Sequence, residues 1–492
     1  MSLNVRTKQM KDKIILLVSK PWMQYVWLFL ITLLAAALRF YKLGTWSFWI
    51  DEIFTINHAL AHFSSPELIL ENIPPARNWF PISVILTARV LNLLDVSELN
   101  ARLVAVFFGI FTVPVLFFIA RKIFNKGVAL IAVLLFAFST WHIEWSQNAR
   151  FYTALLLFYI LALTIYYFAI EKDRPFYIVI FMFLLYLAAS ERFFAVFIIP
   201  VVLSYLLLLK ILPFEKPPGL RTRNILLTIL PVLVAILIEI VSYIADGTFR
   251  FLGGFDWFFL YQLYDPLRLL SFIGFDIGVP LLCFSTFSGI YLIYKKSRPG
   301  LLLMINAVVP IIFLLVLNPF VFTKPRYIFM TLPSWIILGA VGIREIFNEV
   351  KSRGKILALG LLFILLADSA SSNLLYYQVN NGNRNDWKGA FSIVNQNRIE
   401  GDEVVTSWPQ WEGFYWDKAI VVWESLTPET VVSSGKRYWF ILDEEIIWGN
   451  MEMKAWIEQN AELKDVLYLR REDEYYLKIY LYDPAPKIRV PD

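Results

Sequence analysis

Two adjacent carboxylates, Asp51 and Glu52, are the residues of this sequence best suited to acid–base chemistry. They follow the aromatic segment 46–49 and lie close to the end of the apolar run 22–41. Aromatic neighbours partly dehydrate a carboxyl group and raise its pKa, whereas a nearby cation opposes that shift. An acid in such a place can be tuned as a general base. Taken alone, an Asp-Glu pair in a loop is more often a solvated surface, so its context decides.

Further charged and aromatic residues stand where other apolar runs begin or end. Arginine and lysine stabilise the charge that a phosphate gains as a leaving group, and aromatic rings suit a sugar or an isoprenoid. Together with a general base, these are the groups that transfer from a lipid phosphate needs. The candidate substrate-binding residues are Arg77, Glu144, Arg150, Tyr152, Lys324, Arg326 and Tyr327.

The composition indicates an integral membrane protein. Hydrophobic residues make up 58% of the 492 residues and charged residues 17%, which is outside the range of soluble globular domains. The net charge is +5, but lysine and arginine collect in short segments between apolar runs, as membrane orientation requires, so a nucleic-acid partner is not indicated. Cys283 is the only cysteine, which excludes an intramolecular disulfide and a cysteine-based metal site.

Eleven apolar segments are long enough, or nearly long enough, to cross a bilayer core of about 30 Å. The first one exceeds the ~7–15 apolar residues of a signal peptide, so we expect it to remain as a membrane span. The segments are 22–41, 102–120, 127–140, 151–170, 176–190, 193–212, 225–245, 278–294, 301–318, 327–347 and 355–370.

A twelfth apolar segment, 79–94, is the doubtful one, and charge decides its position. If the N-terminus is cytoplasmic and 79–94 does not cross, all five internal connections are basic, as the positive-inside rule requires. If it crosses, these five basic connections move outside. We therefore predict that 79–94 lies along the membrane interface, where Arg89 is also easier to accommodate.

The same count places three regions outside: the loop 42–101, the loop 246–277 and the segment after residue 372. The last region loses long apolar runs and gains short strand-like stretches, with helical patterns at 387–397 and 451–463. We predict a membrane domain at 1–372 and a small extracytoplasmic α/β domain at 373–492. Its final strands, 466–469 and 475–482, are expected to pair as a hairpin, and its aromatic residues 408, 411, 415 and 416 suit a domain core better than a sugar site.

Five motifs in order along the chain resemble those of the GT-C glycosyltransferases. They are RFYKLG with SFWIDE, the paired prolines 74–75, NAR before a span, SQNARFY, and KPRYIFMTLP. The similarity is to the branch of the protein O-mannosyltransferases and bacterial aminoarabinose transferases, and it covers about 22–347 and, more weakly, 385–388. It implies an all-α polytopic GT-C fold in the cell membrane, with about eleven transmembrane helices, juxtamembrane helices and the small outer α/β domain.

The resemblance also implies a reaction, the inverting transfer of a sugar from a polyprenyl-phosphate carrier to a lipid, protein or glycan acceptor. The acidic site of the family falls on Asp51, as the base, and on Glu52, as an orienting or sugar-binding residue. Arg150, Lys324 and Arg326 are then expected to hold the phosphate in one cavity with these acids.

Two departures from the family pattern affect single residues. Asn148 stands where members often have a second acid, and Glu144 is the candidate to replace it. Ile73 stands where members often have His or Lys before the prolines, and Arg77 is the candidate to supply that charge.

No cofactor is required by the sequence, although a divalent cation, Mg²⁺ or Mn²⁺, beside Asp51 stays open. His58 and His62 share a helical spacing but lack a third partner, which argues against zinc. The alternative function is a polytopic transporter or lipid flippase, and its clearest feature is Glu239 inside the span 225–245.

Overall fold

The computed structural model describes residues 20, 22–64, 81–247, 265–320, 323–349, 351–423, 426–443, 450–468 and 476–484. The chain forms two compact units, each assembled from separate parts of the sequence. The helical unit comprises Met1–Tyr41, Ala61–Leu93 and Arg102–Asn373. The sheet unit comprises Lys42–Leu60, Leu94–Ala101 and Leu374–Asp492, so parts of the predicted loop 42–101 cluster with the C-terminal domain.

Most of the chain is helical, and the predicted polytopic fold is confirmed. Eight described helices are long and apolar enough to cross a membrane: Met23–Phe40, Glu98–Ile123, Tyr152–Glu171, Phe193–Ile211, Thr222–Ala245, Arg298–Leu317, Pro325–Asn348 and Arg353–Gln378. Two of them open with a 3-10 turn, at Phe193–Phe197 and Pro325–Thr331. Two bent helix pairs bring the number to ten. The apolar helix Pro175–Glu191 accounts for the remaining predicted span.

The first bent pair joins Lys126–Phe138 to Thr140–Ser146 at an angle of 61°. A break inside a membrane frees backbone carbonyl groups, which need a partner within the protein. Arg39 supplies it, because its fully buried guanidinium donates to the carbonyls of Phe136 and Ala137. The arginine of the RFYKLG motif is therefore a structural residue that stabilises this break.

The second bent pair joins Pro266–Ile277 to Val279–Tyr294 at an angle of 91°. Gly278 lies at the corner with a φ of +92°, which a residue with a side chain rarely adopts. A Cβ atom at this position would lie 3.0 Å from the Asp368 carboxylate. The bend therefore depends on glycine.

The doubtful segment 79–94 contains the helix Ile82–Leu93. Its 12 residues span about 18 Å, which is too short to cross the bilayer core. The backbone N–H and the hydroxyl of Ser83 donate to the buried Glu191 carboxylate, so the first turn of this helix is capped by another helix. The predicted juxtamembrane position agrees with this length.

The connections predicted to be cytoplasmic contact one another. The Arg298 guanidinium pairs with the Glu171 carboxylate at 2.7 Å. Asp173 pairs with Arg221 at 2.9 Å and with Arg223 at 2.8 Å. Three predicted internal connections therefore lie at the same end of the helical unit, while their cytoplasmic orientation stays a prediction.

The sheet unit contains a five-stranded sheet in the order β2-β1-β3-β5-β4. The strands are β1 Glu403–Thr406, β2 Val421–Val422, β3 Tyr438–Leu442, β4 Glu462–Tyr468 and β5 Tyr476–Tyr482. β1 lies parallel to β2 and β3, whereas β5 runs antiparallel to β3 and β4. The predicted α/β domain and its closing hairpin are confirmed. β4 begins at Glu462, within the stretch predicted as helix, because the preceding helix ends at Asn460.

The helices of this unit are Ile50–Ser64 as far as Leu60, Trp387–Asn397, Pro428–Ser434 and Met451–Asn460, with 3-10 turns at Asn381–Asn383 and Pro409–Trp411. Inward-facing residues of β1, β3 and β5, such as Val405, Phe440 and Tyr480, pack against Met453 and Ile457. This core, which also includes Val431, holds the sheet together with the helices Pro428–Ser434 and Met451–Asn460.

Candidate active site

The two acids occupy the first turn of the helix Ile50–Ser64, where the helix dipole favours negative charge. They differ in their surroundings. The Glu52 side chain is fully buried and its carboxylate accepts the backbone N–H of Trp49 at 3.3 Å. Asp51 is only half-buried. Of the pair, Asp51 is therefore the acid that a substrate can reach.

Glu52 forms a buried ion pair with Arg384, a residue 332 positions away in the sequence. The Arg384 Nη1 atom lies 3.2 Å from the Glu52 Oε2 atom, and both side chains are almost completely buried. A buried pair of this kind does little for net stability, but removing one partner leaves an uncompensated charge. Glu52 is therefore placed to fix the first turn of the helix, and Asp51 with it.

Arg384 is itself held by its surroundings. Its guanidinium lies 5.8 Å from the ring centroid of Trp46, and its Nε donates to the Gly382 carbonyl at 3.2 Å. Gly382 has a φ of +63°, and a Cβ atom there would come within 2.5 Å of the Trp46 ring. The close approach of this turn to Trp46 thus requires glycine.

The segment before the acids is hydrogen-bonded to the motif at 385–388. The Ser47 hydroxyl donates to the Asp386 carboxylate at 3.2 Å and accepts the backbone N–H of Lys388 at 2.9 Å. Asp386 also caps the helix Trp387–Asn397 by accepting the backbone N–H of Gly389. The weak resemblance at 385–388 thus falls on residues that hold in place the segment 46–52, which we call the acidic loop.

A second connection passes through Tyr415. Its hydroxyl accepts the backbone N–H of Phe48 at 2.6 Å and donates to the Glu98 carboxylate at 3.0 Å. Lys388 pairs with the same carboxylate at 2.6 Å. The acidic loop, the start of the helix Glu98–Ile123 and the C-terminal domain are therefore joined within the sheet unit.

In the helical unit, three arginines and three aromatic rings form a continuous series of contacts that we call the arginine–aromatic ladder. Its members are Arg150, Phe151, Arg192, Phe194, Tyr327 and Arg326. The Arg150 and Arg192 guanidinium groups lie 4.8 and 5.4 Å from the centroid of the Phe151 ring. Arg192 lies 5.7 Å from the Phe194 ring, which stacks on Tyr327 at 4.0 Å. Arg326 lies 6.0 Å from the Tyr327 ring.

The ladder joins three connections that the sequence predicted to lie on one membrane face. It brings Arg150, Arg326 and Tyr327 together, and Lys324 directly precedes the turn that carries the last two. Arg192 was missed as a candidate, although the pair Glu191-Arg192 interrupts an apolar stretch at a predicted outer end. Arg384 was also missed, because the sequence gives no sign of its contact with Glu52.

The other predicted site residues are placed differently. Tyr152 is 2% exposed and its ring packs 4.1 Å from that of Trp145, which favours a structural role over substrate contact. Glu144 is half-buried. Arg77 and the paired prolines lie outside the described residues. The meeting of Asp51 with the cations in one cavity stays a prediction.

Within the described ranges, no group of three or more His, Cys, Asp or Glu side chains is arranged to hold a metal ion. The Glu52 carboxylate, which would be the natural second ligand beside Asp51, is engaged by Arg384. The divalent cation therefore stays an expectation that rests on the sequence alone.

A part of the sequence matches a known family. Residues 74–241, about a third of the chain, match the family described as dolichyl-phosphate-mannose-protein mannosyltransferase. No curated protein matches the sequence.

Solved structures give a similarity that covers nearly the whole chain. ArnT from Cupriavidus metallidurans in the apo state matches with a TM-score of 0.56 and 11% identity over 94% of this chain and 98% of that one. The same protein bound to undecaprenyl phosphate gives 0.58 and 13%, over 92% and 98%. The oligosaccharyltransferase from Archaeoglobus fulgidus gives 0.53 and 12%, over 80% of this chain and 63% of that one. At these identities the similarity establishes the fold.

Proposed function

Since the chain is a polytopic membrane protein with the GT-C fold, we propose that it is a glycosyltransferase with a polyprenyl-phosphate sugar as donor. The sugar passes, with inversion, to an acceptor on the outer face of the membrane. The family match is to enzymes named for dolichyl-phosphate-mannose, and ArnT is known bound to undecaprenyl phosphate. Both names support a lipid-linked donor for this chain.

The observation that carries the proposal is the different environment of the two acids. Asp51 is accessible, while Glu52 is buried against Arg384 and fixes the turn. In the proposed reaction, Asp51 takes the proton from the acceptor hydroxyl. The acceptor oxygen then bonds to the anomeric carbon as the bond between that carbon and the phosphate oxygen breaks, and the electron pair leaves with the polyprenyl phosphate.

The leaving phosphate gains negative charge, and the cations of the helical unit are the groups to stabilise it. Arg150, Arg192 and Arg326 each lie against an aromatic ring, and a planar guanidinium matches the oxygen atoms of a phosphate. Lys324 adds a further charge next to the ladder. A divalent cation, Mg²⁺ or Mn²⁺, beside Asp51 is part of the proposal only as an option, tested by activity in the presence of EDTA.

The test is turnover of labelled polyprenyl-phosphate sugars by the purified, reconstituted protein. We expect the wild-type chain to release polyprenyl phosphate from one of these donors and the Asp51→Asn variant to lose about 10³-fold or more of this activity, since general-base catalysis contributes about 10²–10⁴-fold. The matched control is Asp417→Asn, which removes a mostly exposed carboxylate of the same unit.

The transporter alternative gives the opposite result. It rests on Glu239, which is 8% exposed in a helix that otherwise presents many apolar side chains to its surroundings. If Asp51→Asn leaves the activity of the protein unchanged while Glu239→Gln abolishes movement of a lipid or solute across the membrane, the glycosyltransferase proposal is wrong.

A further inference from the structure

One aromatic pair of the sheet unit lies directly beside the proposed base. The rings of Phe54 and Trp408 meet edge to face, with centroids 5.8 Å apart and an angle of 85° between the planes. We infer that Phe54 and Trp408 form an acceptor subsite that stacks a sugar ring, and that the acceptor is therefore a saccharide. This inference rests on the proposed function and adds the class of acceptor to it.

The helix Ile50–Ser64 places Phe54 next to the base. Residues three apart in a helix are neighbours on its surface, so Phe54 follows Asp51 on the same side. The Phe54 ring is 39% exposed, although many other apolar side chains of this unit are buried. An exposed aromatic ring one turn from the base is well placed to contact the group that the base deprotonates.

Trp408 reaches this helix from the edge of the sheet. Strands β1, β2 and β3 are parallel, so their carboxyl ends lie at one edge, which is where open parallel sheets bind ligands. Ser407 and Trp408 follow the end of β1, and Asp443 follows the end of β3. The Ser407 hydroxyl donates to the Asp443 carboxylate at 3.2 Å. An indole, a hydroxyl and a carboxylate therefore meet at the edge that touches Phe54.

Trp408 differs from the neighbouring tryptophans. Trp411 is fully buried and stacks on Trp387 at 4.4 Å, and Trp416 is 3% exposed, so both are core residues as expected. Trp408 and Gln410 are half-buried. Part of the Trp408 side chain is therefore accessible to a ligand, whereas those of Trp411 and Trp416 are enclosed.

These features fit a saccharide better than other acceptors. A pyranose offers an apolar face to aromatic rings and carries hydroxyl groups around its edge. An acyl chain would cover Phe54 and Trp408 without placing a hydroxyl group beside Asp51. A sugar hydroxyl stacked against Phe54 would also lie within reach of the neighbouring Asp51.

The experiment measures transfer from a labelled polyprenyl-phosphate sugar to three classes of acceptor by the reconstituted full chain. The acceptors are a panel of hexose and pentose disaccharides, a peptide containing serine and threonine, and a glycerophospholipid. We expect transfer to a disaccharide. Trp408→Ala should raise the KM for that disaccharide by about tenfold, which corresponds to the loss of about 1.4 kcal/mol of binding. The KM for the donor should stay unchanged, and Trp408→Phe should recover most of the affinity. The matched control is Tyr468→Ala, which removes an aromatic ring that is 77% exposed on β4.

Two results overturn the inference while leaving the proposed function intact. One is efficient transfer to the peptide or the phospholipid with none to any disaccharide. The other is an unchanged KM for the disaccharide in Trp408→Ala. If the wild-type chain consumes no donor at all, with or without the acceptors, the proposed function fails and the inference fails with it.

Discussion

In the sheet unit the proposed base, Asp51, directly precedes Glu52, which forms a buried ion pair with Arg384, whereas in the helical unit Arg150 and Arg192 lie against the faces of aromatic rings. Glu52 is fully buried and is held by directional hydrogen bonds from Arg384 and from the backbone N–H of Trp49, which also position the neighbouring Asp51. The cations lie against ring faces, and these contacts are less directional than hydrogen bonds. A base has to be held at a defined point beside one hydroxyl, while a phosphate presents several oxygen atoms to several cations.

The two regions also differ in how far apart their members are in the sequence. The acidic loop depends on Arg384, Asp386, Lys388 and Tyr415, all more than 300 positions downstream of it. The ladder depends on residues at the ends of apolar helices that are closer together in the sequence. Disruption of a single distant residue should therefore affect the acid much more than the cations.

The largest expected effect follows from removing Arg384. In Arg384→Met the Glu52 carboxylate stays buried without its cation, which should lower the free energy of unfolding by about 3–5 kcal/mol. The double variant Glu52→Gln with Arg384→Met should recover most of this loss, because no charge is left buried. Thermal unfolding of the purified protein, followed by tryptophan fluorescence, measures both. A single variant as stable as the wild type would show that the ion pair does not hold the acidic turn.

The cations of the helical unit could be predicted from the sequence. Arg150, Lys324 and Arg326 stand at the ends of apolar runs, where a charge is conspicuous and the membrane restricts its position, so periodicity and charge are enough to select them. Arg192 satisfied the same criteria and was overlooked because it lies in a very short connection. The spans and the short helix Ile82–Leu93 were predictable for the same reason, while the interfacial position of that helix stays a prediction.

The partners of the acidic loop could not be predicted in this way. Nothing in the local sequence around Arg384 indicates that its guanidinium is buried, because this depends on the turn at Gly382 and on the approach of Trp46. The membership of 42–60 in the sheet unit likewise arises from tertiary hydrogen bonds rather than from any periodic pattern. Sequence patterns report which residues face a membrane, but not which distant residues pair in a soluble core.

A smaller effect is expected at the turn that supports Arg384. Gly382→Ala combines a left-handed φ with an overlap against Trp46, and together these should cost about 3 kcal/mol and lower the transfer activity. Gly413→Ala is the matched control, since Gly413 has a φ of +79° but no atom within 4 Å of the added Cβ. It should cost only the conformational term, about 1–2 kcal/mol. Equal losses in the two variants would mean that contact with Trp46 does not constrain the turn.

The smallest effect is expected at Arg192, in the arginine–aromatic ladder. In Arg192→Lys the charge remains, but the planar guanidinium that lies against Phe151 and Phe194 is lost. We expect the KM for the polyprenyl-phosphate donor to rise by about tenfold, which corresponds to about 1.4 kcal/mol of binding, because an ammonium group cannot offer two parallel N–H groups to a phosphate. The control is Arg121→Lys, which alters an arginine 5.5 Å from the Tyr25 ring at the other end of the helical unit and should leave the donor KM unchanged. If Arg192→Lys instead lowers stability and leaves the donor KM unchanged, the ladder packs the helix ends together and takes no part in binding phosphate. The contrast between an acid fixed by an ion pair and cations that bind phosphate would then apply to Arg150 and Arg326 alone.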